Sequence, residues 1–130
     1  MNQVFIKSGK DIMFALVRKP ENAEAPPTVL LLPGLAQSAC DIDYFMSAVS
    51  GELVRCGCRT IQLDLCGHGD SYGDFCQTDI KRIQTNIKDA VEHILNTYQS
   101  RLYIVLRGIM SNIVLNTPHL CGVSGWVCIN

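Results

Sequence analysis

The chain is poor in net charge, in long apolar runs and in acidic residues near its end. Its 130 residues carry a formal net charge of −1, which argues against a surface that binds nucleic acid. No apolar run reaches the ~18 residues that a membrane helix needs. The start, MNQVFIKSGKD, lacks the basic and then apolar pattern of a secretory signal. We therefore expect a cytoplasmic protein without a nucleic-acid or membrane partner.

Cysteine, by contrast, is abundant and irregularly spaced. The chain has seven cysteines, an odd number, and no export signal. This combination favours reduced thiols, buried as small apolar groups. The alternative is a metal site built from Cys56, Cys58, Cys66 and His68. Its pairs are C-x-C and C-x-H, whereas zinc ligand pairs are usually separated by two to four residues. We predict no metal site and no cofactor.

Hydrophobic periodicity predicts alternating strands and helices after an initial hairpin. Continuously apolar runs are typical of strands covered on both faces, and the apolar stripe of segment 78–98 indicates an amphipathic helix. The predicted strands are 3–6, 12–18, 28–32, 59–65, 102–106 and 123–129, and the predicted helices are 41–56, 78–98 and a short one after 108. This order predicts a single α/β domain over residues 1–130, with a mostly parallel sheet and helices on both faces.

Three loops follow predicted parallel strands, after residues 32, 65 and 106. Ligands of such sheets bind beyond the carboxyl ends of the strands, where connecting loops meet. The first loop, PGLAQSACD, lacks the Lys-Ser/Thr ending of a phosphate loop. The second, CGHGDSYGDF, is punctuated by glycines, and the third is the short turn at Arg107 and Gly108.

The order of elements and these loops resemble the α/β-hydrolase fold. The stretch DLCGHGDS, from Asp64 to Ser71, fits the family's turn D-x-x-G-x-G-x-S at every fixed position. The resemblance covers the whole chain but only the first half of the family's domain, so it implies a truncated fold that lacks the C-terminal half. G-D-S-x-G-D-F, together with Leu106-Arg107, is also similar to hydrolase-like proteins associated with bacterial exosortase systems.

The resemblance further implies where substrate would bind. Pro33-Gly34 stands where the family has His-Gly or Pro-Gly, and the N–H of Leu35 or Ala36 would help to form an oxyanion hole. The substrate would be an acyl compound such as an ester. The residues implied in substrate binding are Gly34, Leu35, Ala36, Arg107 and Gly108.

The nucleophile implied by the family is missing from the turn after residue 106. Active members carry G-x-S-x-G there. Aligning the strands puts the serine at Arg107 or Gly108, and neither side chain is a nucleophile. Ser111 lies about one helical turn too late, and we interpret it as a packing or surface serine. We therefore expect no labelling by a serine-directed phosphonate probe.

The family's general base and its carboxylate partner are missing as well. His119 is the one histidine beyond the turn, and no Asp or Glu follows it. The expectation is thus a protein of serine-hydrolase type that is catalytically incomplete, with no catalytic residue assigned. Whether the chain is an enzyme is left open.

Other candidate groups have structural interpretations. We expect His68 to order its glycine-rich loop, His93 to be solvated and Asp64 to accept hydrogen bonds from loop amides. No spacing rule supports acid–base work by Asp70 and Asp74.

Two alternative functions remain. One is a non-catalytic binding module or half-domain whose last strand leaves a sheet edge open, for self-association or for pairing with another chain. The other is a redox or metal protein that uses its cysteines.

Overall fold

The computed structural model describes all 130 residues, as six strands and three helices. The strands are β1 (Asn2–Ser8), β2 (Asp11–Arg18), β3 (Thr28–Leu32), β4 (Arg59–Leu63), β5 (Leu102–Arg107) and β6 (Val123–Ile129). The helices are α1 (Phe45–Arg55), α2 (Ile80–Tyr98) and α3 (Met110–Leu115). Each predicted element is present, in the predicted order.

The strands form one mixed sheet in the order β1-β2-β4-β3-β5-β6. β4, β3, β5 and β6 run parallel to one another, whereas β1 and β2 form an antiparallel hairpin that joins the sheet beside β4. The carboxyl ends of β3, β4 and β5 therefore lie at one edge of the sheet. The predicted mostly parallel sheet is confirmed.

Helices cover both faces of the sheet, as expected from the apolar strands. Alternate residues of β5 divide between the two faces, with Leu102, Ile104 and Leu106 buried beneath α2 and α3. Val105 and Tyr103 pack on the opposite face, where Met46 of α1 fills a smaller core. All five residues of β3 are buried, because its two faces are covered and both edges are paired.

Several predicted bounds differ from the structure by one to four residues, and two of these differences, at α1 and β4, fall at the site edge of the sheet. Residues Ile42–Tyr44 form a 3-10 turn, and α1 begins at Phe45 instead of residue 41. Asp43 and Tyr44 have positive φ, which breaks the helix before α1. β4 ends at Leu63, because Asp64 already turns toward the loops described below.

The cysteine prediction is wrong in part. All seven thiols are free, as expected of reduced cysteines, but only Cys66 is buried. Four cysteines are exposed, on loops, on a 3-10 turn or on β6: Cys56, Cys76, Cys121 and Cys128. None of the three helices is both long enough and apolar enough to cross a membrane.

Candidate functional site

Three loops meet at the carboxyl edge of the parallel strands. We call them the β3 loop (residues 33–41), the β4 turn (residues 64–74) and the β5 turn (residues 107–109). β3 pairs with both β4 and β5 in parallel register, so these segments leave the sheet side by side. The three loops that the sequence analysis expected to meet therefore lie together at one edge of the sheet.

Asp64 joins the β3 loop to the β4 turn. It is buried, and its two carboxylate oxygens accept the backbone N–H groups of Ala39 and Asp70, the latter at 2.8 Å. Burial raises the pKa of the Asp64 carboxyl, and these two donors act against that rise. The expectation that Asp64 holds loop amides is confirmed by these contacts.

A glycine lets the β4 turn approach the Asp64 carboxylate. Gly69 has a φ of +48°, and a Cβ placed there would collide with the carboxylate group of Asp64. Ser71 continues the turn, since its Oγ donates to the Asp64 carbonyl at 2.6 Å and accepts the Phe14 N–H at 2.7 Å. The motif D-x-x-G-x-G-x-S therefore marks a turn with both ends fixed by hydrogen bonds.

His68 has the structural place expected for it. The residue is buried, its Nδ1 lies 3.1 Å from the Cys66 carbonyl, and its ring stands edge-on to Phe75 at 5.1 Å between centroids. No carboxylate forms a hydrogen bond or an ion pair with the ring, so His68 lacks the orienting partner of a catalytic base.

A polar network behind the β4 turn was missed by the sequence analysis. Arg82 of α2 holds both carboxylate oxygens of Asp11, at 2.7 and 2.8 Å. The hydrogen bond from Arg82 keeps the pKa of the Asp11 carboxyl well below its usual range. Asn86 adds a bond to the same carboxylate at 3.1 Å. Because Asp11 and Arg82 are 71 residues apart, no local spacing could have found the pair.

The same network makes Cys66 unsuited to thiolate chemistry. Its Sγ donates to the Tyr72 carbonyl at 2.7 Å and lies 3.2 Å from Nη2 of Arg82. Burial raises the pKa of the Cys66 thiol, whereas reactive cysteines need a lowered one. Cys66 is therefore a packing residue of the β4 turn.

The β5 turn reverses the chain at Gly108. β5 ends at Arg107, and Gly108 follows with a φ of +59°, in the left-handed region. In hydrolases of this fold, a sharp strand-to-helix turn of this kind carries an exposed side chain. A Cβ at Gly108 would meet no atom within 4 Å. The backbone turn thus falls at Gly108 rather than Arg107, and it carries no side chain.

Arg107 points to the α1 face of the sheet. Its Nη1 lies 2.8 Å from Oδ2 of the buried Asp41, in a charge contact without hydrogen-bond alignment. The guanidinium also lies over the Phe45 ring, 5.0 Å from its centroid. Arg107 therefore fixes the end of the β3 loop against α1.

An apolar groove of about 610 Å³ opens on the other face, between the β3 loop, α2 and the β5 turn. Its apolar lining residues are Leu35, Phe75, Ile80, Ile83, Ile109 and Ile113. The backbone N–H groups of Leu35 and Ile109, which line the groove, and of Ala36, which follows Leu35, donate to no acceptor in the chain. Leu35 and Ile109 thus bring two free donors to one apolar groove.

The remaining candidates lie apart from this groove or lack partners. Ser111 is buried in α3, and its Oγ has no hydrogen-bond partner. His119 precedes β6, so it lies near the amino ends of the strands, away from the three loops. His93 is exposed, and the Asp74 carboxylate caps a turn through the Cys76 N–H at 3.0 Å.

Comparison of the coordinates with solved structures finds α/β-hydrolase-type proteins. Est1E of Butyrivibrio proteoclasticus, solved with ferulic acid, superposes with a TM-score of 0.79 at 22% identity, over 86% of this chain and 45% of that one. An esterase of Pyrococcus furiosus gives 0.79 at 18%, over 95% and 47%. A lidless serine hydrolase of Xanthomonas campestris gives 0.78 at 12%, over 98% and 59%.

These likenesses show the fold. The chain has the architecture of the α/β-hydrolase fold, and it spans about half the length of those structures. No family model and no curated protein matches the sequence.

Proposed function

We propose that this chain is part of a protein of serine-hydrolase type that binds acyl compounds in the groove between Leu35, Ile80 and Ile109. One observation carries the proposal: two residues that line the apolar groove, Leu35 and Ile109, have backbone N–H groups without an acceptor. An acyl carbonyl would accept these N–H groups while its chain contacts the isoleucines. The solved esterases of the same fold support this chemical class.

In the same proposal, the β5 turn of this chain binds the acyl carbonyl but supplies no nucleophile to attack it. In hydrolases of this fold the turn residue supplies the nucleophile, and a neighbouring N–H stabilises the oxyanion. Here the turn residue is Gly108, which has no side chain, while the Ile109 N–H is still free. The chain would therefore hold an acyl compound without forming an acyl-enzyme. The G-D-S-x-G-D-F stretch and Leu106-Arg107 support placing the protein near the exosortase-associated hydrolase-like proteins.

A titration with a medium-chain methyl ketone, watched by amide NMR, tests the binding. The ketone presents an acyl-like carbonyl that cannot be hydrolysed. We expect saturable shifts at the amides of Leu35, Ala36 and Ile109.

The variants Ile109→Asp and Leu115→Asp form a matched pair, because the two side chains are 56% and 54% exposed and only Ile109 lines the groove. Ile109→Asp should abolish the shifts, and Leu115→Asp should keep them. Shifts that survive Ile109→Asp, or an absence of shifts in the unmodified chain, would refute the proposed binding site.

A further inference from the structure

Positive charge collects at the edge of the sheet opposite to the three loops. β2 runs antiparallel to β4, so the end of β2 and the start of β4 lie together at this edge, which we call the amino edge. Four basic residues stand at or next to strand ends there: Arg18, Lys19, Arg59 and Arg101. None of them forms an ion pair, although the exposed Glu21 and Glu24 follow in the next loop. The amino edge therefore attracts anions.

A hollow of about 300 Å³ opens at the amino edge between β1, β2, β4 and α2. Val4 and Val17 give it apolar surface, and Lys19, Arg59 and Tyr98 give it polar surface. Its volume is at the lower end of the range for small-molecule sites. None of its lining residues comes from β5, α3 or β6, so its walls do not depend on what pairs with β6.

Arg59 is held in place at the wall of this hollow. Its guanidinium lies over the Tyr98 ring, with Cζ 4.2 Å from the ring centroid. Its Nη1 donates to Oγ1 of the buried Thr28 at 3.1 Å, and this hydroxyl lies 2.8 Å from Oγ of Ser100. Nε and Nη2 have no acceptor in the chain. Because the guanidinium is already fixed, a ligand that accepts these two donors would cost little side-chain entropy.

We propose that the hollow at the amino edge binds a small organic phosphate monoester. Two phosphate oxygens would accept Nε and Nη2 of Arg59, because the guanidinium fork matches such a pair of oxygens. The Lys19 ammonium would add a second positive charge at the rim, and the organic part would contact Val4 and Val17. This site lies at the opposite edge of the sheet from the groove of the proposed acyl site and does not depend on it.

Charge and lining together favour this class of ligand. A phosphate monoester carries between one and two negative charges at pH 7, which two cations balance better than they balance a single carboxylate. Neither Arg59 nor Lys19 is neutralised by a carboxylate of the chain. The valines would remain in contact with water around inorganic phosphate, whereas an apolar organic group would cover them.

A titration with phenyl phosphate at pH 7, watched by amide NMR of the unmodified chain, tests the site. We expect saturable shifts at the amides that surround the hollow: Val4, Val17, Lys19 and Arg59. The amides of Leu35 and Ile109, at the other edge, should not move, which separates this site from the acyl groove. Benzoate and inorganic phosphate should each bind about tenfold more weakly, and neutral benzyl alcohol should cause no saturable shift.

Two substitutions at the amino edge form a matched pair. Arg59→Gln should weaken the binding of phenyl phosphate at least about tenfold, because it removes the charged fork. Arg101→Gln should leave the affinity unchanged, since Arg101 is exposed at the same edge but does not line the hollow. Circular dichroism verifies the fold of each variant. If Arg59→Gln does not fold, Lys19→Gln, at an exposed position, replaces it, with an expected loss of roughly threefold.

Four results would overturn the proposal. The first is an absence of saturable shifts around the hollow. The second is unchanged binding in Arg59→Gln, or in Lys19→Gln where that variant replaces it. The third is equal binding of benzyl alcohol, because the hollow would then recognise only an apolar ring. The fourth is benzoate that binds as tightly as phenyl phosphate, because a carboxylate would then be the preferred anion.

Discussion

The β4 turn and the β5 turn follow strands on either side of β3, yet their structures differ. Hydrogen bonds hold the β4 turn along its length. Asp64 accepts two loop amides, and Ser71 bonds to two backbone segments. Gly69 lies directly against the Asp64 carboxylate. In the β5 turn, a Cβ at Gly108 would meet no atom within 4 Å, and the Ile109 N–H has no acceptor. The comparison separates a turn that is held by many contacts from a turn that leaves a backbone donor free.

The largest expected difference between the turns comes from one methyl group. Gly69→Ala should destabilise the protein by about 4 kcal/mol, because the new Cβ collides with Asp64 at a positive φ. Gly108→Ala, also at a positive φ but in open space, should cost about 1 kcal/mol. Urea unfolding of both variants measures the difference, and equal losses would contradict the contrast between the turns.

Removing the buried carboxylate should have the next largest effect. Asp64→Ala leaves the Ala39 and Asp70 N–H groups without their acceptor, at an expected loss of about 3 kcal/mol. The control is Asp70→Ala, since that side chain is exposed and should change stability by less than about 0.5 kcal/mol. Thermal unfolding followed by circular dichroism gives both values. A stable Asp64→Ala variant would mean that the β4 turn holds its shape without the carboxylate.

The Asp11–Arg82 pair should make stability depend on pH. The pKa of the Asp11 carboxyl is lowered in the folded state. The carboxylate therefore stabilises the protein fully at pH values above the ordinary pKa of 3.8, and this contribution is lost as the pH falls toward the lowered pKa. Asp11→Asn should cost about 2 kcal/mol at pH 7. The gap between variant and wild type should narrow below about pH 4, as urea titrations at several pH values would show. A gap that stays constant with pH would exclude the ion pair as its source.

The smallest effect is expected at Arg107. Arg107→Met leaves the Asp41 carboxylate without its counter-charge, but Arg107 is 30% exposed, so the loss should be about 1 kcal/mol. The matched control is Arg55→Met, which breaks the fully exposed pair with Glu52 and should cost less than about 0.5 kcal/mol. Equal losses in urea unfolding would show that Arg107 contributes only as a surface charge.

Patterns within short stretches predicted much of this molecule. The apolar runs of β3 and β6 gave their bounds as observed, and the glycines after Asp64 gave the β4 turn, because period and turn chemistry are local properties. The Asp11–Arg82 and Asp41–Arg107 pairs could not be predicted, since each joins residues more than 60 positions apart. The start of α1 was misplaced because Asp43 and Tyr44 adopt positive φ, which their residue types do not signal.

Labelling with a serine-directed phosphonate tests most directly the claim that this chain retains the hydrolase scaffold without its nucleophile. Intact-mass analysis after incubation should show the unmodified chain, because the β5 turn presents Gly108 and the Ser111 hydroxyl is buried in α3. A stoichiometric adduct that maps to Ser111 would contradict the account, since it would place the reactive hydroxyl one helical turn beyond the position that the structure assigns to the turn.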